Sequence, residues 1–172
     1  MKWSELDLTK IGTTSFKGMP RFSGLKFQIP RGVTPYGLGG FKSIDVDIGD
    51  PEFLDWWRAV ETTFANGFEP FKSNLKGTRL RLKVDEDTYV FDEKRNLQTP
   101  DLKEGLWRGA QISCLVEISG IYFFNAEHGF VCRCRQIMVY DSDGAEESDD
   151  DAPATQSVTA SCVPSRALLD ED

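Results

Sequence analysis

One histidine, His128, serves the whole chain, and no Ser or Cys nucleophile motif surrounds it. Covalent and acid–base catalysis need a base within reach of the group it activates, so the sequence is read as that of a non-enzymatic protein. Apolar runs are equally scarce. None approaches the roughly 18 to 20 residues of a membrane span, and "MKWSELDLTK" lacks the apolar centre of a signal peptide. A soluble intracellular protein with no membrane partner is expected. Four cysteines, Cys114, Cys132, Cys134 and Cys162, show no disulfide-framework spacing, and reduced thiols follow. The glycines of "YGLGGF" are not followed by Lys and Ser or Thr and do not open a helix, which argues against a phosphate loop. There is no internal repeat.

What is present is unevenly distributed. The net charge is -8, yet residues 141–172 hold ten acidic side chains against one basic, Arg166, while residues 1–140 carry 19 basic and 18 acidic ones. The acidity is therefore a property of the last segment. That segment has no aromatic residue and is built of Ser, Thr, Ala and Pro between two acid clusters. Such a composition buries too little apolar surface to offset the entropy of ordering, and a disordered acidic tail is expected. Upstream, dense aromatic and β-branched residues punctuated by turn formers predict one strand-rich domain over residues 1–140.

Within that domain Asp50, Pro51 and Glu52 supply a cap, a preset first-turn residue and a first-turn acid. Phe53, Trp56, Trp57, Val60 and Phe64 then recur at helical spacing, predicting one helix over about residues 50–66 with a core-facing aromatic stripe. Elsewhere the period is two. Strands are expected at residues 25–29, 41–48, 109–124 and 130–140, and "TRLRLKV" and "TYVFD" around Asp85, Glu86 and Asp87 read as a β-hairpin. The fold class is mainly β: five or more antiparallel strands with one helix suggest a small barrel or a sandwich. Residues 30–40 and 93–105, rich in breakers or charge, are expected to be long mobile loops.

Alternation in "RLRLKV" places Arg79, Arg81 and Lys83 on one strand face, at a spacing suited to following a single-stranded nucleic-acid backbone. Tyr89 and Phe91 could join them as stacking platforms or turn inward as core. Arg133 and Arg135 also share a face, although Val131, Ile137 and Val139 have the same parity. They belong either at a rim, paired with Glu117, or in a ligand groove, and the groove is favoured. Cys132, Cys134, Cys114 and His128 offer four zinc-ligand types. C-x-C along a strand has a poor bite for a tetrahedral ion, and buried core thiols are the preferred reading. Asp45 and Asp47 with Glu117 or Glu127 could suggest a two-metal nucleic-acid enzyme, but strand alternation and helix capping already account for Asp45, Asp47 and Asp50. No metal and no cofactor are expected.

The order of parts, ending in "GFVCRCRQI" and an acidic terminus, resembles the single-stranded DNA-binding proteins of phages and large DNA viruses, of the phage T7 type. The resemblance implies an OB-fold that coats exposed strands during DNA replication, recombination or repair. It implies phosphate contacts from Arg79, Arg81, Lys83, Arg133 and Arg135, extended by Lys72 and Lys76, and base stacking on Tyr89, Phe91 and Trp107. About five such contacts give a slope of roughly -3.5 in log affinity against log salt. The tail would compete with DNA for the groove and recruit DNA polymerase or other replication proteins through Leu168, Leu169, Asp170, Glu171 and Asp172. The chain ends on these acids where many such proteins end on an aromatic residue. A host cytoplasm or nucleoid location and a homodimer are compatible with this reading. The competing reading is an acidic-tailed structural or interaction factor that does not bind nucleic acid.

Overall fold

The computed structural model describes residues 1–140; the expected acidic tail, with Cys162, lies outside the described residues. The helix forms as its sequence dictates. α1 (Pro51–Ala65) is capped by Asp50, whose carboxylate accepts from the Glu52 and Phe53 amides at 3.0 and 3.2 Å; such a cap is worth about 1 kcal/mol. Its apolar stripe is buried as expected: Phe53, Trp57 and Val60 are fully enclosed, and Trp56 and Phe64 are packed against the core. Trp56 meets Phe27, and Trp57 meets Phe130 edge-on. Burying each such side chain contributes roughly 1.5 to 3 kcal/mol.

Twelve strands surround this helix: β1 (Gly12–Phe16), β2 (Met19–Ser23), β3 (Lys26–Gln28), β4 (Gly32–Val33), β5 (Ser43–Asp47), β6 (Phe71–Lys72), β7 (Leu75–Lys76), β8 (Arg79–Lys83), β9 (Tyr89–Phe91), β10 (Leu97–Gln98), β11 (Gln111–Phe124) and β12 (Glu127–Tyr140). β4, β5, β8, β12 and β11 pair in succession, and β11 returns to β4, closing a ring of five strands. Their inward residues, among them Ile44, Val46, Leu80, Leu82, Ile112, Val116 and Ile118, form the core with α1. Among the described residues no helix is long and apolar enough to cross a membrane.

Two expectations change. The segments flanking Asp85 do not form a hairpin. β8 and β9 both run parallel to β12, at Arg133 and then at Gln136–Met138, so the chain continues in one direction through a short offset. The Thr88 hydroxyl pins that offset by donating to the Cys134 carbonyl at 2.9 Å. The sheet is therefore mixed, whereas local alternation carries no information about strand direction. The loops are also built in. Residues 30–40 include β4, a closing strand of the ring, and buried Leu38, which exchanges backbone hydrogen bonds with Leu106 and Gly105 at 2.7 and 2.8 Å. Residues 93–105 include β10. Finally, the hairpin β1–β2 was not legible from alternation, because every residue of β1 is exposed. Its turn, Lys17 and Gly18, has positive φ at both positions, as two-residue hairpins require.

The parity conflict in β12 is resolved by a bulge. Leu115 pairs with Gln136 and Val116 with Cys134, leaving Arg135 as the extra residue. Before it Cys132 and Cys134 point inward; after it Ile137 does, so Arg133 and Ile137 share parity yet face opposite sides.

Candidate nucleic-acid interface

The alternation of β8 is realised in full: Leu80 and Leu82 are buried, and Arg79, Arg81 and Lys83 are exposed on the outer face. Lys83 pairs directly with Arg133, so β8 and β12 present their cations on the same side. Beside them opens a groove of about 500 Å3, lined by Lys72, Lys76, Arg79 and Arg81, by Tyr36 and Tyr122, and by Asp45, Ser73 and Asn74. Four cations thus meet one carboxylate, with two tyrosine rings at hand. Tyr36 is 58% exposed, and its hydroxyl accepts from Arg79 Nη1 at 2.9 Å, holding that guanidinium toward the groove.

Several cations are already partnered. Arg81 makes two hydrogen bonds to Asp45, at 2.8 and 3.0 Å. These bonds hold the Asp45 carboxyl below the usual carboxylate range and push Arg81 up. Arg133 lies 3.7 Å from Asp85, and Arg135 is bonded to Glu117. The alternative of a Glu117 partner therefore holds for Arg135, and neither β12 arginine lines the groove. Lys72 reaches Glu127 at 4.0 Å. Arg79, Lys76 and Lys83 make no ion pair with a carboxylate among the described residues.

The proposed stacking residues divide. Tyr89 is exposed but lines a separate hollow of about 450 Å3 with Lys42, Glu86 and Pro100. Phe91 is corrected to a core residue: it is 4% exposed, set between Leu97 and Met138 in the sheet. Trp107 is half-buried against the core in a tight turn, where its carbonyl accepts from Thr34, so it is a packing residue as well. The aromatic groups at the groove, Tyr36 and Tyr122, lie in the Gly- and Pro-rich loop and near the end of β11, where no periodic signal singled them out. Leu168, Leu169, Asp170, Glu171 and Asp172 are outside the described residues.

Among the described residues no three His, Cys, Asp or Glu side chains are grouped to hold an ion. His128 stacks on Phe68 and Phe123 near the β11–β12 turn, four residues along the strand from Cys132, or about 13 Å. Cys132 and Cys134 are buried in the core, and burial pushes both thiols well up, which keeps them protonated.

No protein-family model and no curated protein matches the sequence. Solved structures do match in shape. The single-stranded DNA-binding protein of bacteriophage Enc34 in complex with ssDNA superposes with a TM-score of 0.51 at 11% identity, covering 80% of this chain and 99% of that one. A C-terminal truncation of the same protein gives 0.51 at 10% identity, covering 79% and 98%. The gp2.5 single-stranded DNA-binding protein of bacteriophage T7 gives 0.42 at 15% identity, covering 73% and 98%. The helix-bearing five-stranded ring is thus the OB-like fold of the Enc34 protein, on an almost unrelated sequence.

Proposed function

We propose that this protein binds single-stranded DNA along the outer face of β5 and β8 and coats exposed strands in replication, recombination or repair, without catalysis. The observation that carries the reading is the groove itself, where Lys72, Lys76, Arg79 and Arg81 gather beside Tyr36 and Tyr122. Cations neutralise phosphates and release counterions, while aromatic faces accept any base, which is the chemistry of sequence-tolerant single-strand binding. The shared fold with a protein solved in complex with ssDNA supports the single-strand reading.

Residues 141–172, with their excess of nine negative charges, are complementary to that groove. Tethered to the same chain, they act at high effective concentration and yield to a strand that brings both charge and stacking. Displaced, they are free for basic surfaces of a polymerase or another replication protein, with Leu168 and Leu169 as apolar anchors.

Fluorescence polarisation with labelled oligo-dT, for the full chain and for residues 1–140 across a salt series, tests both parts. The expected result is binding with a log-log salt slope near roughly -2.8 for the four groove cations, tighter for the shorter protein. Negligible binding by both would overturn the reading in favour of an acidic-tailed interaction protein.

A further inference from the structure

We infer that the DNA track does not stop at the groove but crosses β11 onto the N-terminal hairpin β1–β2, where Phe16, Lys17 and Arg21 form a second binding station. The inference rests on the single-strand reading and adds to it a path and a longer footprint.

The path follows from register. Lys72 pairs with Gly129 of β12, Gly129 with Tyr122 of β11, and Gly120 of β11 with Arg21 of β2. Directly paired residues project to the same side of a sheet, and past the register shift between Ile118 and Ile121 the inward Ile121 leaves its neighbours Gly120 and Tyr122 together on the outer side. Lys72, Tyr122 and Arg21 therefore stand on one surface. Two glycines keep it open. A Cβ on Gly129 would come within 2.6 Å of the Tyr122 hydroxyl, and one on Gly120 within 2.5 Å of the Pro20 carbonyl oxygen and 3.0 Å of Arg21 Cδ. Each long side chain thus lies down over a neighbour that has none, giving a low passage between groove and hairpin. Three strand spacings separate β6 from β2, about 14 Å, and β1 adds another 4.8 Å or so.

At the far end Phe16 is 56% exposed, with the Lys17 ammonium 5.4 Å and the Arg21 guanidinium 5.7 Å from its ring centroid. An unburied ring flanked by two cations is the same combination as Tyr36 with Arg79. The packing of the hairpin does not require it: Phe22, two residues on from Pro20, supplies the anchor by contacting Phe64 and Phe130. The charge pattern agrees. Residues 8–44 contain six cations and no carboxylate, so nothing on this hairpin opposes a phosphate. On β8 and β12, by contrast, Asp45, Asp85 and Glu117 each hold an arginine.

The test compares the full-length protein with Phe16→Ala/Arg21→Ala, using fluorescein-labelled dT20. Binding should weaken about tenfold, as the loss of one stacked base and its cation implies, while the thermal melt is retained. A second variant, Lys17→Gln at an exposed turn position, should make the dT20 salt slope shallower by about 0.7. If the wild type binds dT20 and both variants match it in affinity and slope, the extension is wrong and the groove reading stands. Failure of the wild type to bind dT20 would remove the single-strand reading and the extension together.

Discussion

Arg81 and Asp45 face each other across the β5–β8 pairing with both carboxylate oxygens engaged, so that the guanidinium at the centre of the groove already holds an internal anion. A carboxylate in bidentate contact with arginine presents much the same geometry as a phosphate. Binding DNA at this point is an exchange of one anion for another.

Asp45→Asn removes the competitor and leaves the shape. It should bind oligo-dT more tightly than the wild type, with a salt slope steeper by about 0.7, measured by polarisation across a salt series. Stability moves the other way, by about 1 kcal/mol or less, since the Arg81 side chain is 58% exposed and solvent screens the pair. Because Asp45 is held below its usual range in the fold, its contribution is present above the unfolded carboxylate value and disappears as pH falls through the folded one. Urea melts of wild type and variant should therefore differ at pH 7 and converge in strong acid.

Groove and core aromatics should respond oppositely. Tyr36→Ala and Tyr122→Ala should weaken oligo-dT binding by about 1 to 3 kcal/mol each with little change in melting. Phe91→Ala, at a buried ring, should cost about 3 to 5 kcal/mol of stability and leave the affinity of the folded fraction unchanged. The opposite assignment of effects would place the DNA over β9 instead.

The loop of residues 30–40 should behave as part of the fold. Thr34 is fully buried, and its hydroxyl lies at the carbonyls of Trp107 and Ala110. Thr34→Val keeps the shape and removes the hydroxyl's bond, while backbone amides still satisfy both carbonyls, so a loss of about 0.5 to 1.5 kcal/mol in urea unfolding is expected. A loss near zero would mean that the loop is not docked.

Cys114, Cys132 and Cys134 should resist a thiol reagent such as DTNB in the native protein and react on unfolding, as buried thiols do. Rapid modification of all three without denaturant would contradict their place in the core.

Local chemistry alone determined a good deal. The cap at Asp50, the stripe from Phe53 to Phe64, the alternation of Arg79, Arg81 and Lys83, and the concentration of acid after residue 140 are short-range patterns, read directly from residue order. Tertiary structure decided which strands became neighbours and which charges stayed unpaired. The parallel seating of β8 and β9 on β12 and the bulge at Arg135 depend on hydrogen bonds between residues distant in sequence, to which a two-residue period is blind. The groove's aromatic members, Tyr36 and Tyr122, come from a loop and a strand end that only ring closure brings together, because a surface is made by neighbours in space and not by neighbours in the chain.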